Sequence, residues 1–377
     1  MRLKGLEKEA AVKIPLANPV FNREMEKAAV DALHNEWFVL GESVFKFEGE
    51  FAKYCGADYA VSMSSGTHAL SIALISLGVT CGQEVVTSPA SFVATANSAL
   101  HANAVPVFAD VELRTYTMDP ERLKKTLNRK TGAVLPVHLY GFPANMDSIV
   151  TIADKNKLPV VEDACQAHGA LFRGRMVGCI GDVGCFSFYP SKNMTVAGDG
   201  GMMVTNLKKV AVKAAKLRDC GRRSKYIHDL VGYTARLNTV NAAIGRVQLK
   251  HLDDWNEKRR RNAEKYDRKL SDIEELVLPP KGEGTTRPVY HLYTIRTKQR
   301  ESLRVHLEKN AVECGVNYTL PIHLQPAYKE KFGFKEGAFP NSEELCKTCL
   351  SIPMYPDLSE KEVQFVCDQI HQFFENR

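Results

Sequence analysis

The chain lacks any long apolar run. Nothing in its 377 residues approaches the ~18 consecutive apolar positions that a membrane span requires. The opening stretch MRLKGLEKEAAVKIPLANP is charged and has no signal-peptide apolar core, so the cytoplasm is the expected compartment and no membrane is an expected partner. Ten cysteines occur, at 55, 81, 165, 179, 185, 220, 314, 346, 349 and 367, but they form no framework. In a chain this long they read as reduced, mostly buried thiols. CKTC (346–349) is the one close pair, and a zinc site needs a second pair of matching spacing that is not there. No metal is expected. Strong charge is also missing, since Lys and Arg exceed Asp and Glu by only 50 to 44. The single basic run, EKRRRNAEKYDRK (257–269), mixes signs at helical spacing. It reads as a solvated helix face and not as a nucleic-acid site. No strand–GxGxxG–helix unit and no P-loop spacing are found, which argues against a dinucleotide or nucleoside-triphosphate fold. Internal repeats and low-complexity stretches are absent too.

What is present is ordinary globular composition, 44% hydrophobic and 25% charged, with length for two or three domains. From residue 59 short β-rich runs alternate with helical patterns. The runs are YAVSMS (59–64), EVVTSP (84–89), VPVFAD (105–110), AVLPVHLY (133–140), PVVEDA (159–164), GCFSFY (184–189) and GMMVTN (201–206). Helical patterns separate the first five, which predicts a mainly parallel sheet of seven strands covered by helices on both faces. A glycine-rich loop without a helix joins the last two, so one of them is free to run antiparallel. A long helix is expected over 239–273, a Pro/Gly-rich break over 278–288, and a smaller α/β domain after it with VYHLYTIRT as a strand. The large domain is placed at 1–250 and the small one at 251–377. The first ~40 residues read as a helix and extended arm lying on the small domain or on a partner.

In parallel sheets ligands bind beyond the carboxyl ends of the strands. After the first run comes SSGTHAL, where a helix N-terminus and hydroxyls can hold an anion or simply cap the helix. After the second comes Phe92, which can stack on a flat ring or join the core. His138, after the fourth, reads as structural. EDACQAHG follows the fifth, and alternation along a strand lets only one of its two acids face a site. Asp163 can pair with a cationic ring nitrogen or cap a helix, with Gln166 and His168 within a turn. The stretch GCFSFYPSKNMTVAGDGGMMVTN (184–206) holds Ser187 and only two charged side chains, Lys192 and Asp199. A phosphate site, a stacking aromatic, a carboxylate for a ring nitrogen and a sparsely charged lysine together match the needs of one common cofactor, pyridoxal 5′-phosphate. Its aldehyde bonds a lysine and its pyridinium is an electron sink. Burial of that lysine favours the neutral amine that must attack.

At these residues the chain resembles the DegT/DnrJ/EryC1/StrS sugar aminotransferases, of the aspartate-aminotransferase-like fold type I. The resemblance rests on SSGTHALSIAL, TSPASFVATANSAL, VHLYGFPANMDSI, VVEDACQAHGA, the 184–206 stretch, GYTARLNTVNAAIG and LPIHLQPAY, in family order from 62 to 328. It implies that Lys192 carries the cofactor as an internal aldimine and that Asp163 pairs with the ring nitrogen. Gln166 would contact the ring hydroxyl, Phe92 would stack on the ring, and Gly66, Thr67 and Ser187 would hold the phosphate. GYTARL would reach the partner's site in a homodimer, with Arg236 there for substrate, and His323 would lie near the sugar. Where the family pattern GYN-x-R has asparagine on the phosphate, this chain has Thr234. A family branch that swaps the lysine for histidine removes a hydroxyl instead, and retention of Lys192 argues against it. The activity implied is transfer of an amino group, with L-glutamate the expected donor, to a nucleotide-linked keto-sugar. Transamination of a keto-cyclitol, another pyridoxal-phosphate transamination, or a non-catalytic regulatory role on the same fold stay as alternatives.

Overall fold

A computed structural model describes residues 14–375. All seven expected strands form: β1 (Tyr59–Met63), β2 (Glu84–Thr87), β3 (Val105–Phe108), β4 (Thr131–Leu135), β5 (Val161–Asp163), and, after a hairpin of β6 (Leu171–Phe172) and β7 (Arg175–Met176), β8 (Val183–Ser187) and β9 (Gly201–Thr205). Two hydrogen-bonded groups, β1-β9-β8-β5 and β3-β2-β4, meet through parallel bridges Val134 to Val160 and Val137 to Asp163. One mixed sheet results. Its pairings are parallel except that β9 runs antiparallel to both neighbours. The cause is the loop 188–200, which returns the chain without a crossover helix.

Alternate strand residues face opposite cores, as a period of two demands. Val86, Val134, Phe186, Met202 and Val204 join Phe47 and Phe51 on one face. Val85, Ala133, Leu135, Cys185 and Met203 join Leu70, Ile72 and Leu74 on the other. The helices responsible are α2 (Glu42–Cys55) for the first face and α3 (Gly66–Leu77), α4 (Val93–His101) and α7 (Lys208–Arg218) for the second. Helices α5 (Pro120–Thr126) and α6 (Met146–Lys155) lie between β3 and β5 in the chain. Strands buried on both sides are nearly continuous in apolar residues, which is why these runs stood out.

A hairpin of β10 (Arg222–Ser224) and β11 (Ile227–His228) precedes α8, Thr239–Leu270, a helix of 32 residues. The domain boundary expected at 250 falls inside it. Its first half packs through Ala242 and Leu252 on the large core; Ala263, Tyr266 and Leu270 enter a second core. That core also takes residues from β12 (Tyr293–Arg296), α9 (Arg300–Lys309), β13 (Cys349–Ile352) and α12 (Glu360–Glu375), with α10 (Pro326–Phe332) and α11 (Pro340–Thr348) between them in the chain. The expected strand 289–297 is shorter, because the N–H of Val289 bonds the Gly141 carbonyl instead. Ile14 bridges Val312 and is buried in the small-domain core, and α1 (Arg23–Asn35) lays Met25 on Ile244, Val247 and Trp255. The arm's residues 1–13 lie outside the described residues.

Candidate active site

The carboxyl end of β5 separates its two acids. Glu162 points into the interior, where it accepts hydrogen bonds from the N–H groups of Gly178, Ile180 and Gly181 at 2.7–2.8 Å. His138 completes the set at 3.0 Å through Nε2. The N–H of Ala144 donates to His138 Nδ1, so the imidazole proton sits on Nε2 and donates to Glu162. This buried carboxylate is fully satisfied, which makes its burial tolerable. Asp163 faces the other way. Its Oδ2 accepts from Thr95 Oγ1 at 2.7 Å, and Thr95 is itself bonded to Ser91. Its Oδ1 accepts the N–H of Cys165 at 3.2 Å. The side chain is 5% exposed. A buried carboxylate with two donors and no cation bonded to it among the described residues has capacity for another partner.

Lys192 stands opposite on the loop between β8 and β9. Its N–H bonds the carbonyl of Tyr189, and Thr195 Oγ1 bonds that of Phe188, so a tight turn sets its backbone. Next to it Asn193 is buried and ties the loop to Asn256 of α8 and to Val289. Burial holds the Lys192 ammonium below the usual lysine range, with the Cys165 thiol and the Asp163 carboxylate opposing the shift. No carboxylate among the described residues forms a salt bridge with it. A lysine desolvated in this way is the kind that can be a nucleophile or a base near neutral pH. His168 lies deeper, with Lys192 and Ser187 among its neighbours. It is buried against the rings of Phe186 and Phe188, and burial pushes it down to about 3.

Ser65 caps α3, accepting the N–H of His68. Gly66 follows it, and a Cβ there would sit 2.7 Å from Ser187 Cβ and 2.9 Å from Cys165 Sγ. A Cβ on Gly201 would lie 2.3 Å from the Ser65 carbonyl oxygen. Only glycine permits this approach of two strands and a helix start. The helix N-terminus at Gly66 and Thr67 and the hydroxyl of Ser187 at the end of β8 are thereby brought together, a geometry suited to an anion. Thr67 and Ser187 are partly exposed.

Phe92 precedes α4 and is 52% exposed, so it is not core. Gln166 is fixed at both ends of its amide: Oε1 accepts the N–H of Tyr140 at 2.8 Å and Nε2 donates to the hydroxyl of Tyr318 at 3.2 Å. Tyr318, far along the chain, lies 5.9 Å from Phe92 between ring centroids. Sequence reasoning missed both Thr95 and Tyr318. Thr95 could have been found three residues after Phe92, one helical turn into α4. Tyr318 carried no local signal beyond its place just before LPIHLQPAY.

Asp163, Lys192, Gly66, Thr67, Ser187, Phe92 and Gln166 therefore line one region at the strand ends. Three other expected residues are engaged by other side chains of the chain. Thr234 is exposed, and its hydroxyl lies 3.5 Å from the Cys220 thiol. Arg236 is held by Asp219 of its own chain at 2.6 Å. His323 is fully buried, with Nε2 on Glu343 at 3.1 Å and its ring 4.7 Å from that of Phe339.

The model of the DegT/DnrJ/EryC1/StrS aminotransferase family matches residues 20–371. A pleiotropic regulatory protein of Geobacillus stearothermophilus is 40% identical over 93% of this chain and 94% of its own. A dTDP-3-amino-3,4,6-trideoxy-alpha-D-glucose transaminase of Streptomyces venezuelae is 38% identical over 93% of this chain and 92% of its own. Among solved structures, S. venezuelae DesV in complex with a ketimine intermediate superposes with a TM-score of 0.91 at 38% identity, covering 93% of this chain and 94% of that one. Similarity of this extent, on a chain whose sheet gathers a desolvated lysine, a carboxylate and a glycine-lined anion cradle, makes the protein a member of the DegT/DnrJ/EryC1/StrS aminotransferase family.

Proposed function

We propose that the protein is a pyridoxal-phosphate-dependent aminotransferase that moves an amino group from an amino acid, L-glutamate, to a keto-sugar carried by a nucleotide. The observation that carries this is Lys192, desolvated and without a salt-bridge partner among the described residues, across from a buried Asp163 that has capacity for a cation. The transaminase names of the nucleotide-sugar relatives support the substrate class.

The residues present fit the cofactor. The cradle that a Cβ on Gly66 would fill suits its phosphate, with donors from Gly66, Thr67 and Ser187. Asp163 would hold the ring nitrogen, Gln166 the ring hydroxyl, Phe92 one ring face and Lys192 the aldehyde carbon. When bound, the cofactor supplies an electron sink for the charge left when a C–H bond breaks. Lys192, released as a neutral amine, takes the proton from the donor's Cα. In the second half-reaction it returns a proton to the sugar carbon that gains the amino group. Asp163, oriented by Thr95 and the Cys165 N–H, keeps its charge aimed at the ring nitrogen throughout.

The two sites of a homodimer would be shared. Trp37, Phe38, Tyr226 and Val231 are all strongly exposed, at 86%, 65%, 81% and 96%, around the arm and the 220–234 segment. A face of this kind favours association.

The regulatory name of the 40% identical relative supports a second reading, a member that binds without turnover. A binding module has no need of a lysine whose ammonium is destabilised, and the same experiment decides between the two. Borohydride should fix the cofactor on the peptide holding Lys192, and the amine form should regain its absorbance only with particular nucleotide keto-sugars. Label on another lysine, or no response to any keto-sugar, would defeat the aminotransferase reading.

A further inference from the structure

Tyr318 is the group at the site that the reading above leaves unused. Its hydroxyl accepts a hydrogen bond from Gln166 Nε2 at 3.2 Å. The amide cannot turn the other way, because Oε1 already accepts from the N–H of Tyr140. Tyr318 is thus held as an acceptor, and its own phenolic proton has no acceptor among the described residues. A hydroxyl with an unused donor beside a ligand site commonly serves the ligand.

The placement is rigid. Gly315 and Ser351 exchange both backbone hydrogen bonds, which adds this segment to the edge of the small sheet. Tyr140 of the large domain bonds the carbonyl of Asn317, and the Cys349 thiol lies on the carbonyl of Tyr318. The ring is tilted 34° to that of Phe92. Around it stand Asp163 and Cys165 from the end of β5, Tyr140, Cys346 of α11 and Cys349, with Lys192 beyond the first two. Burial, with Asp163 and Cys165 adding to it, raises the phenol above its usual range, so it stays a neutral donor at working pH.

We propose that Tyr318 donates a hydrogen bond to the cofactor's ring oxygen beside Gln166, so that the small domain tunes the cofactor's electronics from across the domain junction. The inference rests on the cofactor reading given above. A donor on that oxygen stabilises its negative charge and weakens its hold on the neighbouring proton.

The test is a pH titration of the resting holoenzyme's cofactor absorbance, which needs no turnover. Tyr318→Phe removes one oxygen and should move the midpoint upward by roughly one pH unit, the scale of a lost hydrogen bond to a charged atom. A fluorinated tyrosine at 318 keeps the shape, strengthens the donor and should move the midpoint the other way. The upward shift on Tyr318→Phe should persist in a Gln166→Ala background. An unmoved midpoint overturns the inference, and so does loss of the shift without Gln166, which would make Tyr318 only a support for the amide. A wild type that takes no borohydride label at Lys192 overturns the cofactor reading and this inference with it. A labelled wild type indifferent to both substitutions at 318 overturns this inference alone.

Discussion

The floor of the site and its rim are built on different terms. On the floor, at the ends of β5 and β8, each polar group is oriented within the chain. Glu162 has four donors, Asp163 two, and Gln166 a partner at each end of its amide. On the rim, over 220–236, Thr234 is exposed, Val231 is almost bare, and Arg236 is occupied by Asp219. The burial that lowers the Lys192 ammonium comes from its own chain. Contacts to a phosphate or sugar from the rim need something to cover it, and a second subunit is the proposed cover.

Three experiments would break or sharpen that contrast. The largest effect belongs to the floor. Asp163→Ala should lower turnover by roughly a hundredfold or more, the scale of losing a preorganised electrostatic partner. The carboxylate also holds the Lys192 amine up against burial, so its loss lowers that amine further. The neutral base then persists to lower pH, and the acid limb of the pH profile of kcat should move downward. Near-normal turnover with an unmoved limb would reduce Asp163 to a cap.

The second tests whether the rim belongs to the neighbour. Lys192→Ala and Arg236→Ala should each be nearly inactive. Unfolded and reannealed together in equal amounts, they form mixed dimers in which one site receives both defects and the other neither. Recovery should approach about a quarter of wild-type activity, since half the dimers are mixed and each has one intact site. If Arg236 serves only its own chain, through Asp219, confirmed mixed dimers would stay inactive.

The smallest effect is expected at Thr234. Thr234→Asn gives the rim a longer donor, and cofactor affinity should rise several-fold, about 1 kcal/mol, the net worth of one hydrogen bond. Equilibrium dialysis would measure it, and an unchanged affinity would remove Thr234 from the cofactor's surroundings.

Much of the floor was legible because it lies on regular elements. A strand's alternation required Glu162 and Asp163 to part company, and only the residue facing the strand ends was free for chemistry. The sparsely charged 184–206 stretch announced Lys192 for the same reason: an apolar neighbourhood in sequence became a desolvated one in space. Thr95 was one helical turn from a residue already singled out. Tyr318 was not legible, since it meets Gln166 from 152 residues away in the chain. His323 is a contrasting case. Its motif marked it for the sugar, yet the ring turns into Phe334 and Phe339 and finds Glu343.

By itself the sequence determined the seven strands, a return after the glycine-rich loop that was free to run antiparallel, and the long helix, because periodicity and local composition are properties of contiguous residues. Only the tertiary structure decided the strand order, the sharing of α8 between two cores, the pairing of Arg236 with Asp219 and the arrival of Tyr318 beside Gln166. Those depend on which distant surfaces bury one another, and burial is a free energy of the whole fold that no window of the chain contains.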